Sequence, residues 1–191
     1  NGVGTVTAAP DEAQLVLGVE TRGATAREAV RANADAARKI INALRRAGAR
    51  ELATQMVSVY PVSGESGKIE AYAASSSVSA VSDVEDAPGL IDAAVDAGAN
   101  QVFGPIMSAK NAEELYRQAL AKAVAEARAR AEVLAKAAGR SLGAIRAIVE
   151  SGASAPIPLA AERAAGGDAA IPIVPGTQET TATVTVTFLL R

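Results

Sequence analysis

Thr181-Ala182-Thr183-Val184-Thr185-Val186-Thr187-Phe188-Leu189-Leu190 decides the fold class. Ala182, Val184, Val186, Phe188 and Leu190 fall on one side of an extended chain, and Thr181, Thr183, Thr185 and Thr187 on the other. A period of two is the mark of a half-buried strand, and one wet face suits an antiparallel sheet. The apolar row needs helices to cover it. The rest of the chain is therefore read for helices that can do so and for strands that pair alongside.

Two helices answer that need by length. The first starts at the capping box Thr25-Ala26-Arg27-Glu28 and turns Ala26, Ala29, Val30, Asn33, Ala37, Ile40, Ile41 and Leu44 inward. Gly48 ends it. The longest opens at Asn111-Ala112-Glu113-Glu114, read as a variant of the same box, and runs to Gly139. Its stripe is Tyr116, Ala119, Leu120, Ala123, Ala127, Leu134 and Ala138. Glu113–Arg117, Glu126–Arg130 and Glu132–Lys136 are spaced four apart with the acid first, the favourable order. A shorter helix starts at Asp86-Ala87-Pro88, continues through Leu90, Ile91, Ala94 and Val95, and closes at Gly98.

Strands fill the intervals. Gly2-Val3-Gly4-Thr5-Val6-Thr7 is one. Ala13, Leu15, Leu17 and Val19 alternate in a second, after a turn at Pro10-Asp11. Residues 52–60 form a third that Pro61 is expected to stop. A hairpin loop at 63–68 leads to a long strand at 69–82, whose Ser75, Ser77 and Ser79 predict a solvated face or a face against another chain. Residues 101–108 contain Pro105, which argues for an edge or a bulge. Residues 144–150 and the threonine strand complete the order ββαββαβαββ. The expected class is α+β, a mixed, mostly antiparallel sheet carrying two long helices and one short one. Residues 1–191 read as one domain, with room for a smaller βαβ subdomain at 66–110. Residues 152–175, rich in Gly, Pro and Ala, read as a flexible loop and a candidate lid.

Composition excludes several functions. The 191 residues are 49% hydrophobic but only 3% aromatic, and 19 basic against 21 acidic side chains leave a net charge of −2. That balance lacks the basic surface and stacking platform of a nucleic-acid binder. Cys and His are both absent, which removes thiolate chemistry and the commonest general base and zinc ligand. No apolar run is long enough for a transmembrane helix. The chain begins at Asn1, as an exported protein does after its signal is removed, and as a trimmed sequence does too.

The remaining candidates have plain structural explanations. Gly2-x-Gly4 lacks the third glycine and following helix of a dinucleotide fingerprint, so its glycines read as points of close approach. In Asp83-Val84-Glu85-Asp86 the last residue is expected to cap the short helix, where acids also favour the helix dipole. Asp92 and Asp96 share one helix face rather than facing each other across a cleft. Ser141 follows a helix stop, although Lys136 is near. Asn33 is the one polar residue among core-facing positions of the first helix; a buried amide needs hydrogen-bond partners, and it reads as fixing a neighbouring strand or loop in preference to contacting a ligand. No catalytic, cofactor-binding or metal-ligating residue emerges, and no cofactor is expected.

Several segments together resemble one family. They are Pro10-Asp11 ahead of Leu17-Gly18-Val19, residues 26–33 and 44–48, Ala71-Tyr72-Ala73-Ala74, Leu90-Ile91-Asp92-Ala93-Ala94 and Ala97-Gly98-Ala99-Asn100. Residues 119–139, 172–176 and the final strand follow in order. The sequence is similar to the SIMPL-domain family of bacterial envelope proteins. That resemblance implies a periplasmic or secreted protein with a non-enzymatic role, often linked to stress tolerance, and it brings no catalytic residues. Tyr72 joins Asn33 and Asp86 as a structural position. The function expected is an interaction module that forms homo-oligomers, with envelope proteins as further partners. The alternative is a small-ligand binding protein using 152–175 as its lid.

Overall fold

A computed structural model describes residues 1–153, 157–159 and 173–191. The α+β order holds, with one three-residue strand added before the last. The strands divide between two sheets rather than sharing one, and every pairing among the described residues is antiparallel. The chain correspondingly forms two compact units, one of residues 11–108 with 173–174, the other of residues 1–10, 109–153, 157–159 and 175–191.

The first unit runs β2 (Glu12–Gly23), α1 (Ala26–Arg46), β3 (Arg50–Ser63), β4 (Ile69–Asp83), α2 (Ala87–Asp96) and β5 (Gln101–Ser108). Its sheet has the order β3-β4-β2-β5. Helix α1 thus links two strands separated by β4, and α2 links two separated by β2, the split βαβ arrangement of ferredoxin-like sheets. Thr25 and Glu28 close the capping box reciprocally, Glu28 N–H donating to Thr25 Oγ1 at 3.2 Å and Thr25 N–H to Glu28 Oε2 at 3.1 Å. At the far end Gly48 takes a φ of 87°, and Ala49 N–H reaches back to Leu44 O at 3.0 Å. That is the Schellman closure a left-handed glycine permits.

Alternation in β2 does what its pattern predicts. Ala13, Leu15, Leu17 and Val19 are buried with Ile40 and Leu44 of α1 and Leu90, Ile91 and Ala94 of α2. Each fully buried leucine there contributes about 1.5–3 kcal/mol. Strand β3 continues past Pro61 to Ser63 instead of stopping. It is an edge strand, where a residue without an N–H is tolerated. Pro105 likewise lies on an edge strand, beside a register break opposite Gln14 and Val16.

The serine strand corrects an expectation. Ser75, Ser76, Ser77 and Ser79 are all buried, at 4–7% exposure, so they form no solvated face. Strand β4 is interior to its sheet, between β3 and β2. Longer side chains of other strands reach over its short ones: Gln55 Nε2, from the adjacent β3, donates to Ser79 Oγ at 2.9 Å, and Ser75 Oγ donates to Gln101 Oε1 of β5, beyond β2, at 3.3 Å.

The second unit is built from β1 (Gly2–Ala8), α3 (Ala112–Ala137), β6 (Leu142–Ala153), β7 (Ile157–Leu159) and β8 (Thr177–Leu190). Strand β8 is central, with β1 on one edge and β6 and β7 on the other. Both edges being taken, it closes a sheet of its own. Ala182 and Val184 are buried beneath α3 with Leu115, Ala119, Ala123 and Ala127. The loop expected over 152–175 lies outside the described residues at 154–156 and 160–172.

Candidate functional site

The three structural positions take different roles. Asn33 is buried on α1, and its Nδ2 donates to Val19 O of β2 at 2.8 Å and to Ala74 O of β4 at 2.9 Å. The amide therefore ties the helix to two adjacent strands. Asp86 stands directly before α2, yet its side chain makes no capping hydrogen bond. Pro88 at the second helical position has no N–H to offer, and Val84–Asp86 already turn as a 3-10 helix. Asn111 also makes no side-chain cap, because its own carbonyl accepts from both Glu114 and Leu115. Tyr72 is half-buried on β4, opposite Pro61 and Gly23.

Candidate reactive groups are not brought together. Asp92 and Asp96 are exposed. Ser141 Oγ donates to Arg191 O at 3.4 Å rather than engaging Lys136. Asp83 is bonded by Arg50 at 2.8 Å, which also lies 3.5 Å from Glu12. Among the described residues no three His, Cys, Asp or Glu side chains cluster as metal ligands would.

Two tyrosines gain carboxylate partners. Tyr60 donates to Glu20 Oε2 at 2.5 Å, and Tyr116 to Glu150 Oε1 at 2.6 Å. Each hydrogen bond to an anion holds the phenol in its protonated form, so both pKa values rise above 10.0, with partial burial and the carboxylate charge acting the same way.

Concave surface is found in both units. In the second, a groove of about 510 Å³ runs between the last turns of α3 and β8, lined by Leu134, Ala138, Leu142, Val186, Phe188 and Leu190 among others. In the first, a cavity of about 170 Å³ lies between α1 and the outer half of the sheet. Asn33 lines it, and so does Ser76, whose Oγ is buried with no hydrogen-bond partner among the described residues. Sequence reasoning missed Ser76 by reading the serine run as surface. The available signal was its apolar setting, since Ala73, Ala74, Val78, Ala80 and Val81 cover both parities of the strand.

One flat surface is also distinctive. The face of β8 opposite α3 carries Thr181, Thr183, Thr185 and Thr187. Val3 pairs with Thr183 and Val149 with Thr185, so both valines share that face, and they are 43% and 59% exposed.

These features define an α+β protein of two antiparallel sheets, whose notable features among the described residues are a polar-floored cavity and an uncovered sheet face. A family model described as SIMPL, protein of unknown function (DUF541), matches residues 1–188. The 26 kDa periplasmic immunogenic proteins of Brucella melitensis biotype 1 and Brucella abortus (strain S19) are each 34% identical to the chain over 207 aligned positions, covering 100% of it and 83% of their own length. The chain belongs to the SIMPL family. Like these relatives it is periplasmic, and among the described residues no helix is long and apolar enough to cross a membrane.

Proposed function

We propose that the chain is a non-catalytic interaction module of the bacterial envelope that assembles with copies of itself, using the threonine face of β8. The observation that carries this reading is the composition of that face. Val3, Thr5, Thr181, Thr183, Thr185, Thr187, Ala147 and Val149 lie on it by register and carry no charge; Glu179, near the start of β8 on the same side, is held by Thr181 Oγ1, which donates to its Oε1 at 3.3 Å. Charge depletion with exposed apolar side chains is the signature of an interface centre, whereas a merely wet sheet face usually mixes in Lys and Glu. The serine strand, the other surface read as a possible contact with another chain, is buried within its own unit. Static light scattering on the chromatographed protein tests the reading: an integral multiple of the 19.2 kDa chain mass supports it, and a monomer at micromolar concentration removes it.

A further inference from the structure

Apart from self-association, the cavity under α1 has the make-up of a ligand site. Its walls are Val30, Ala34, Ala37 and Ile41 from the helix and Val57 and Val78 from the sheet. None of its lining residues is charged. At its floor is Ser76, only 7% exposed, whose hydroxyl finds no partner among the described residues. Leaving a buried hydroxyl unbonded is costly, so such a group in a native fold calls for an explanation. Asn33 adds a second polar group on the same lining. Its two Nδ2 bonds to Val19 O and Ala74 O leave Oδ1 as an acceptor they do not use.

We propose that this cavity binds a small neutral amphiphile, with an apolar ring or short chain against the valine and alanine walls and one hydroxyl-type head hydrogen-bonded to Ser76 Oγ. Size sets the first limit. An apolar cavity of about 150 Å³ takes up benzene, so 170 Å³ suits one ring with a small substituent. Charge sets the second. An ion buried against these walls would lack a counter-charge, which excludes carboxylates and ammonium groups of the same size. Ser76 sets the third, because a hydroxyl both donates to and accepts from a ligand head, while a purely apolar guest leaves it stranded. The exposed position of Val57, 72% accessible at the rim, gives a ligand its way in.

Amide-resolved NMR titration of the whole chain tests the site, with p-cresol, toluene and benzoate as matched probes. The expected result is saturable shifts at Val30, Ala34, Val57, Ser76 and Val78 with p-cresol, about tenfold weaker binding of toluene, the difference one satisfied hydrogen bond makes, and no binding of benzoate. Ser76→Ala folds without loss, since it removes a stranded hydroxyl, and it brings p-cresol and toluene to equal affinity. The proposal is overturned by p-cresol shifts that fail to saturate or fall elsewhere, by benzoate competing at the site, or by a preference for p-cresol that survives Ser76→Ala.

Discussion

A Cβ atom added to Gly4 would stand 2.0 Å from the carbonyl oxygen of Ala119. Gly2 has the same relationship with Ala123, also at 2.0 Å. Strand β1 and helix α3 thus touch backbone to backbone, and the glycines of one fit the alanines of the other. Closeness of this kind compensates for a core with few large side chains. Gly4→Ala is therefore expected to destabilise the protein by about 1–3 kcal/mol, the range for forcing extra atoms into a packed site. Denaturant melts measure it. A midpoint within error of the parent would show that α3 can lift from β1 at no cost.

Asn33→Leu keeps the branched shape but leaves Val19 O and Ala74 O without the donor they share. A loss of about 1–3 kcal/mol is expected for stranding buried acceptors. Asn33→Asp is expected to be at least as damaging, since a carboxylate offers those carbonyls no proton. Chemical denaturation of both variants decides the matter, and an unchanged midpoint in either contradicts the hydrogen-bonded geometry.

Tyr60 and Tyr116 supply a pH dependence. Their folded pKa values lie above 10.0 because the protonated phenols donate to Glu20 and Glu150. A group raised in this way stabilises the fold fully below its unfolded pKa near 10 and loses that contribution as pH climbs through the folded value. In Glu20→Gln and Glu150→Gln the tyrosinate absorbance titration should move to lower pH. A titration curve that superimposes on the parent's would show that the hydrogen bonds do not persist in solution. Both pairs lie at the surface, so the effect on stability is small.

Much of the fold was legible because its signals are local. The Thr25–Glu28 capping box, the β2 alternation and the threonine strand each declare themselves within a few residues, and all form. What failed to show is non-local. Pro61 was expected to end a strand, but its tolerance depends on β3 being an edge, which only the sheet order reveals. The serines of β4 read as polar and hence wet. Their burial depends on Gln55 and Gln101 arriving from other strands. Asp86 and Asn111 carry capping side chains, yet local backbone geometry diverts both. Of the cavity, Asn33 was legible as a polar break in an apolar stripe, while Ser76 was hidden in its run of like residues.

The most direct measurement of the central claim is the solution mass of the Thr183→Lys, Thr185→Lys double variant, by light scattering after chromatography, with circular dichroism as the folding control. Both threonines sit on the uncovered face, with Val3 and Val149 beside them. Two ammonium groups there would have to be desolvated in an assembly, while in the isolated chain they remain in water. The account predicts an assembled parent and a folded variant of smaller mass. A folded double variant with the parent's mass would contradict it.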